Sequence, residues 1–576
     1  MATIARLALL LPLGGVLAVS QTPGAADLVL LNGTIITVDA RDSIVEALAV
    51  TGGRIVFTGS TAAARARIGE KTEIIDLGGR TATPGLIDTH VHFSEPADTL
   101  DLGDARSMDE VVEKVRAWAA KVPKGEWVRG RGWDEGKLAE RRYITAADLD
   151  RAAPDHPVYL THTTGHYGVA NSFAMKLSGV TKETEDPPGG TIDRDADGNP
   201  TGVMKERATS LIARGGGGGR AGAMRADVLR IIAGFNREGM TGAKDLNVTQ
   251  AKWDLYRQLL DEGRLSVRVA TLWRGGATME AIRQTMTSIA AAPRAPATLG
   301  DGRLVSAGVK LYVDGSGGAR TAWMYDDWNR DLTSIDRGNK GYPANNQDYP
   351  AIYKQQVAML TGAGIHVGTH AVGDRAIDLV VDTYAEVLKA NPVKGLRHSI
   401  IHANVPTNRA IRLMADLQKT YDAGYPEAQA PFLWWIGDTY AGNFGRTRNQ
   451  RLEPFRSFLE HAVIWAGGSD YSVTPYPARY GLWASVVRET LAGTYGRTPF
   501  GTTEAVDIRA ALRSYTIWAA RQMFLETVVG SLEPGKFADV AVWDRNLYEV
   551  PAARLKDLQC EMTLVAGKVV FRRLRP

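Results

Sequence analysis

From Asp27 to Ile75 apolar and polar residues alternate in short runs broken by turn signals: Leu28 to Leu31, Asn32-Gly33, Thr34 to Val38, Glu46 to Val50, Gly52-Gly53 and Arg54 to Phe57. Asn-Gly and Gly-Gly between such runs predict hairpins, and hence a small β unit too short to be stable by itself. The far end of the chain repeats the texture in Gly530 to Trp543 and Thr563 to Phe571. Both ends are therefore predicted to complete one β-sandwich. Between them, strand-like runs at Val158–His162, Ala243–Asp245, Val267–Trp273, Val305–Asp314 and Ile365–His370 alternate with helical spacing at Asp109–Val122, Ala221–Glu238, Tyr349–Thr361 and Ala376–Ala390. Repeated βα units require a parallel sheet, and at this length an α/β fold of the (β/α)8 TIM-like barrel type leads. A doubly wound sheet is the alternative, but no Gly-x-Gly-x-x-Gly follows the first strand. The expected division is a leader over residues 1–20, a first sandwich part over 21–84, a barrel over 85–499, and the last barrel helix with the second sandwich part over 500–576.

Composition narrows the class. The 576 residues carry a net charge of only +4 and no basic cluster, which argues against nucleic acid as a partner. The single cysteine, Cys560, excludes an internal disulfide and a cysteine-rich zinc module, so any metal must be held by His, carboxylate or a modified side chain. Arg6, the apolar run Leu7–Val19 and the small residues up to Ser20 have the layout of a secretory signal, shorter than the ~20 residues that span a bilayer. Export to the periplasm or the exterior is expected, with no stable span after cleavage. The run Gly215 to Gly219 reads as a mobile loop.

Barrel enzymes place their chemistry at the C-terminal ends of strands, so the polar residues ending the predicted strands are the candidates. They are His90 and His92 after Pro84-Gly85, then Lys310, His370, His402 and Asp470. On a strand, residues i and i+2 share a face, so His90 and His92 can address one point. Four histidines and a carboxylate suit zinc or a similar divalent ion, whereas an ammonium among them repels metal. Singly, each has an ordinary reading: a satisfied core histidine, a turn-capping aspartate, a surface lysine.

The order His-x-His, Lys, His, His, Asp resembles the metal-dependent amidohydrolase superfamily. The segments Pro84–His92, Val309–Ser316, His370–Ala376 and Gly535–Asp539 look like its branch of YtcJ-like proteins and N-substituted formamide deformylase. That resemblance implies two divalent metal ions, zinc first among them. His90 and His92 with Asp470 would hold one, His370 and His402 the other, and a CO2-derived carbamate on Lys310 would bridge them. Many relatives carry a glutamate before the fourth histidine, where this chain has Ile401.

The function so implied is hydrolysis of a C–N bond in a small-molecule amide, N-formyl, N-acyl or cyclic amide, by a metal-bound hydroxide, with Asp470 as base and then acid. Lactone or phosphotriester hydrolysis on the same metals is an alternative, as is a non-catalytic exported protein that keeps metal for stability. Trp133 and His166 lie on segments resembling the branch's pocket loops and are expected to touch substrate. The aromatic run Pro431 to Asp438 either fills core or lines an apolar pocket. Self-association is left open.

Overall fold

Eight parallel strands pair in sequence order: β1 (Leu86–Val91), β2 (Met240–Val248), β3 (Arg268–Arg274), β4 (Leu304–Tyr312), β5 (His366–Ala371), β6 (Ser399–His402), β7 (Tyr425–Ala428) and β8 (Ala466–Gly467). The computed structural model describes residues 24–93, 99–213, 220–328, 339–493 and 501–574. The expected leader and the run Gly215 to Gly219 lie outside the described residues. The sheet closes on itself where Val91 bridges Tyr471 in parallel, with Asp470 N donating to His90 O at 2.7 Å and His92 N to Tyr471 O at 2.6 Å. This is the TIM-like barrel the alternating pattern predicts.

The barrel strands are buried on both faces because helices cover the outside, so they read as apolar runs rather than as alternation. All six residues of β5 are buried. The helix Asp374–Ala390 shows how the cover forms: Ile377, Val380, Val381, Tyr384 and Leu388 recur at three and four residues and are buried together.

The chain ends meet as expected. The strand Thr81–Pro84 pairs antiparallel with Val540–Trp543 inside a six-stranded sheet, and a four-stranded sheet packs on it through Leu30, Leu48, Val50 and Ile75 against Val540, Val542 and Leu564. Arg268, at the start of β3, joins this sandwich to the barrel by donating Nε and Nη2 to Asp539 at 2.7 and 2.9 Å. Gly85 stands where the chain leaves the sandwich, and a Cβ there would lie 2.2 Å from the Thr241 side chain.

One expected barrel strand lies elsewhere. Val158–His162 belongs to a separate six-stranded sheet built from segments between Leu100 and Glu206, inserted between β1 and β2. Its runs are as apolar as barrel strands, but Val158–His162 pairs antiparallel with Tyr167–Ala170, a hairpin no barrel strand makes.

Candidate metal centre

The ends of β1, β4, β5 and β6 and the turn after β8 bring His90, His92, Lys310, His370, His402 and Asp470 around one cavity of about 490 Å³. Asp470 Oδ1 lies 3.0 Å from His90 Nε2 and 3.2 Å from His92 Nε2. The His402 ring stands 4.9 Å from that of His90 and 4.5 Å from that of His370. The backbone is forced into this arrangement: His402 and Asp470 have φ of 76° and 55°, the left-handed region that non-glycine residues avoid.

Hydrogen bonds fix which nitrogen each ring presents. His402 Nδ1 donates to Gln429 Oε1 at 2.6 Å, and His370 Nε2 donates to Gly315 O at 2.8 Å, so the opposite nitrogen of each ring is left for a cation. Asp88 ties β1 to the turn that carries Asp470, accepting from His90 N at 3.0 Å and from Ser469 N and Oγ at 3.0 and 2.5 Å. Asp314 braces the loop after β5 by accepting from Val372 N, Gly373 N and Trp323 N.

The charge states also suit a cation. Burial pulls the His90 imidazole down to about 3 and, with neighbouring charges, holds His370 and His402 well below their ordinary value, so all three are neutral. Burial raises the Asp470 carboxyl, but His90 and His92 outweigh it and hold it well below the carboxylate range. Neutral imidazoles with an ionised carboxylate form a donor set for zinc or a similar divalent ion.

Lys310 is 1% exposed and, among the described residues, its side-chain amine makes no hydrogen bond or ion pair. Burial pulls its amine down to about 7, against the opposing effect of Asp470 and Glu427. The other lysine in the barrel interior, Lys244, is paired with Glu427. Ile401, the residue before His402, packs in one buried apolar cluster with Leu246, Leu272 and Ala466.

His166 borders the metal cavity, its ring 5.4 Å from that of His370, with Nδ1 donating to both oxygens of Glu206 at 3.0 Å. Trp133 does not line the metal cavity. It is 0% exposed, donates Nε1 to Leu160 O and packs on Tyr143, His162 and Tyr167, because a register shift at Arg131/Trp133 turns the indole into the core of the inserted sheet. In the aromatic run, Phe432 fills core and stacks on His402 at 5.8 Å. Gln429, Glu206, Asp88 and Asp314 escape sequence reasoning. Asp88, two residues before His90, and Asp314, at the end of the predicted strand Val305–Asp314, are the two with a positional signal.

A second group, Asp134, Glu135 and His162, has ligand atoms within 4.8 Å of one another in the inserted sheet. Lys137 Nζ already stands 3.9 Å from Asp134, and Tyr167 OH donates to both oxygens of Glu135, so this group has the makings of an internal ion cluster.

The amidohydrolase family profile matches residues 73–571. The chain is 29% identical to N-substituted formamide deformylase of Arthrobacter pascens over 95% of this chain and 98% of that one. To the putative amidohydrolase YtcJ of Bacillus subtilis it is 26% identical over 94% and 98%. Among solved structures it resembles a metal-dependent hydrolase from Pyrococcus horikoshii with a TM-score of 0.66 and 24% identity over 91% and 99%, a likeness of fold.

Proposed function

Because the chain belongs to the amidohydrolase family, we propose that it hydrolyses the C–N bond of an amide, with N-substituted formamides and other N-acyl or cyclic amides as the substrates to try first. The observation that carries this reading is the convergence of His90 and His92 Nε2 on Asp470 Oδ1 at 3.0 and 3.2 Å, beside His370, His402 and an unpaired buried lysine. His90, His92 and Asp470 would hold one divalent cation, zinc first among the choices, and His370 and His402 a second.

Lys310 fits between them as a carbamate rather than as an ammonium. Its nitrogen bonds to the carbon of CO2 and a proton leaves, which requires the neutral amine that burial favours at a value of about 7. When bound, divalent ions of this kind acidify a water from 15.7 towards about 7 and polarise a carbonyl.

The chain's own residues do the rest. Asp470 takes the proton of the attacking water and returns it to the departing nitrogen, so that C–O forms as C–N breaks and an acid and an amine leave. Gln429 holds the His402 tautomer, Asp88 fixes the spacing of β1 and the Asp470 turn, and His166 faces the substrate from the inserted sheet. Export, on the strength of Arg6 and Leu7–Val19, is part of the same proposal.

The test is a panel of N-formyl, N-acyl and cyclic amides, lactones and aryl phosphotriesters against metal-reconstituted protein. Turnover concentrated in the amides supports the reading. Turnover confined to lactones or phosphotriesters, or none at all, overturns it.

A further inference from the structure

A second cavity of about 430 Å³ adjoins the metal cavity and shares His166, Glu206, Lys310 and Tyr312 with it. Its charges are unbalanced in a specific way. Two acidic residues line it, Glu206 and Asp314, and both are committed to the protein. Glu206 is engaged by His166 and the Thr321 hydroxyl, and Asp314 by three backbone N–H groups.

The two arginines that line the cavity, both exposed, have no such partners. Among the described residues the Arg274 guanidinium makes no hydrogen bond or ion pair, and Arg207 donates Nη1 only to the neutral Asn345 Oδ1 at 3.2 Å. Arg274 is an exposed residue of the cavity lining. It ends β3 opposite Lys310 of β4, and Gly275 follows it against the Lys310 carbonyl, donating N to Lys310 O at 3.0 Å. A Cβ at Gly275 would stand 2.6 Å from that carbonyl, so the strand end that carries Arg274 is pressed against the strand that carries the lysine. Tyr312, Tyr342 and Tyr349 supply ring walls to the same space.

We propose that this cavity binds a carboxylate on the nitrogen substituent of the amide, held by Arg274 with help from Arg207, so that the substrate class is N-acyl amino acids. The proposal rests on the amide-hydrolysis reading: for substrates with a short acyl group seated over the metal ligands, the nitrogen substituent is the part large enough to fill the adjoining space. A guanidinium meets a carboxylate through two parallel N–H···O bonds, and losing a charged hydrogen bond of this kind costs about 10- to 100-fold in affinity.

The test compares N-formylphenylalanine with N-formylphenethylamine, which differ only by the carboxylate, on metal-loaded wild type, Arg274→Gln and Arg207→Gln. The acid is expected to be preferred at least 10-fold in kcat/KM by the wild type, with that ratio collapsing towards one in Arg274→Gln and falling partway in Arg207→Gln. Equal use of the two compounds by the wild type, or an unchanged ratio in Arg274→Gln, overturns the proposal. If neither compound is hydrolysed, calorimetric binding of the same pair decides the carboxylate site alone, and the amide-hydrolysis reading is decided separately by the full panel of amides. At least 10-fold tighter binding of the acid, lost in Arg274→Gln, upholds the site, and equal affinities refute it.

Discussion

His402 Nδ1 donates to Gln429 Oε1 at 2.6 Å, while the Gln429 amide nitrogen donates to Glu427 O at 2.8 Å and lies 3.3 Å from His90 Nδ1. One side chain on the loop after β7 therefore touches two of the proposed ligands and is itself oriented by the backbone of β7. Groups behind a ligand set its tautomer and direction, and their loss costs about 10- to 100-fold in metal affinity. Gln429→Ala is expected to lose metal in that range, read by chelator competition. Affinity equal to wild type would remove Gln429 from the site.

Asp470 is both a ligand and the proposed proton carrier, and these roles separate in Asp470→Asn. The amide keeps an oxygen for the cation but cannot take up and return a proton at neutral pH. Turnover is expected to fall by about 10²- to 10⁴-fold, the usual worth of a general acid–base group, while much of the metal stays bound. Near-normal turnover in the metal-loaded variant would refute the assigned role.

The pair Arg268–Asp539 is a buried ion pair linking barrel and sandwich, with the two side chains 1% and 3% exposed. Removing one partner strands the other charge in the interior, so Asp539→Ala is expected to destabilise the protein by about 3–5 kcal/mol. Thermal or denaturant unfolding reads this. A change under about 1 kcal/mol would mean that water reaches Arg268 once its partner is gone.

Acid should unfold the protein partly through His398. Burial pulls its imidazole from 6.5 down to about 3, where Thr361 Oγ1 and Val367 N hold the neutral ring. The folded value lies below the unfolded one, so the unfolded chain binds the extra proton between those limits. The stability His398 contributes is fully present above pH 6.5 and is lost as pH falls towards 3, at up to about 1.4 kcal/mol per unit. His398→Gln should flatten the fall of Tm between pH 6.5 and 4.5 relative to wild type. Parallel profiles would contradict this.

Much of the centre is legible in the sequence because a strand presents residues i and i+2 to one face and a barrel gathers strand ends. His90, His92, His370, His402 and Lys310 need only those two facts. Gln429 and Glu206 leave no periodic signal: each acts through a neighbour brought close by the fold, 27 residues away for His402–Gln429 and 40 for His166–Glu206. Trp133 illustrates the converse, since an indole beside glycine and aspartate looks the same in sequence whether it faces a pocket or a core. The inserted sheet is hidden because its apolar runs match barrel strands, and only their pairing tells them apart.

The central claim is a two-cation centre bridged by Lys310, and it is tested most directly by counting metal per chain alongside a carbon-13 NMR spectrum of protein loaded with labelled bicarbonate. Two divalent ions per chain and a carbamate signal are predicted for the wild type, with the signal absent and the metal count reduced in Lys310→Met. One ion per chain with no carbamate signal in the wild type would contradict the account.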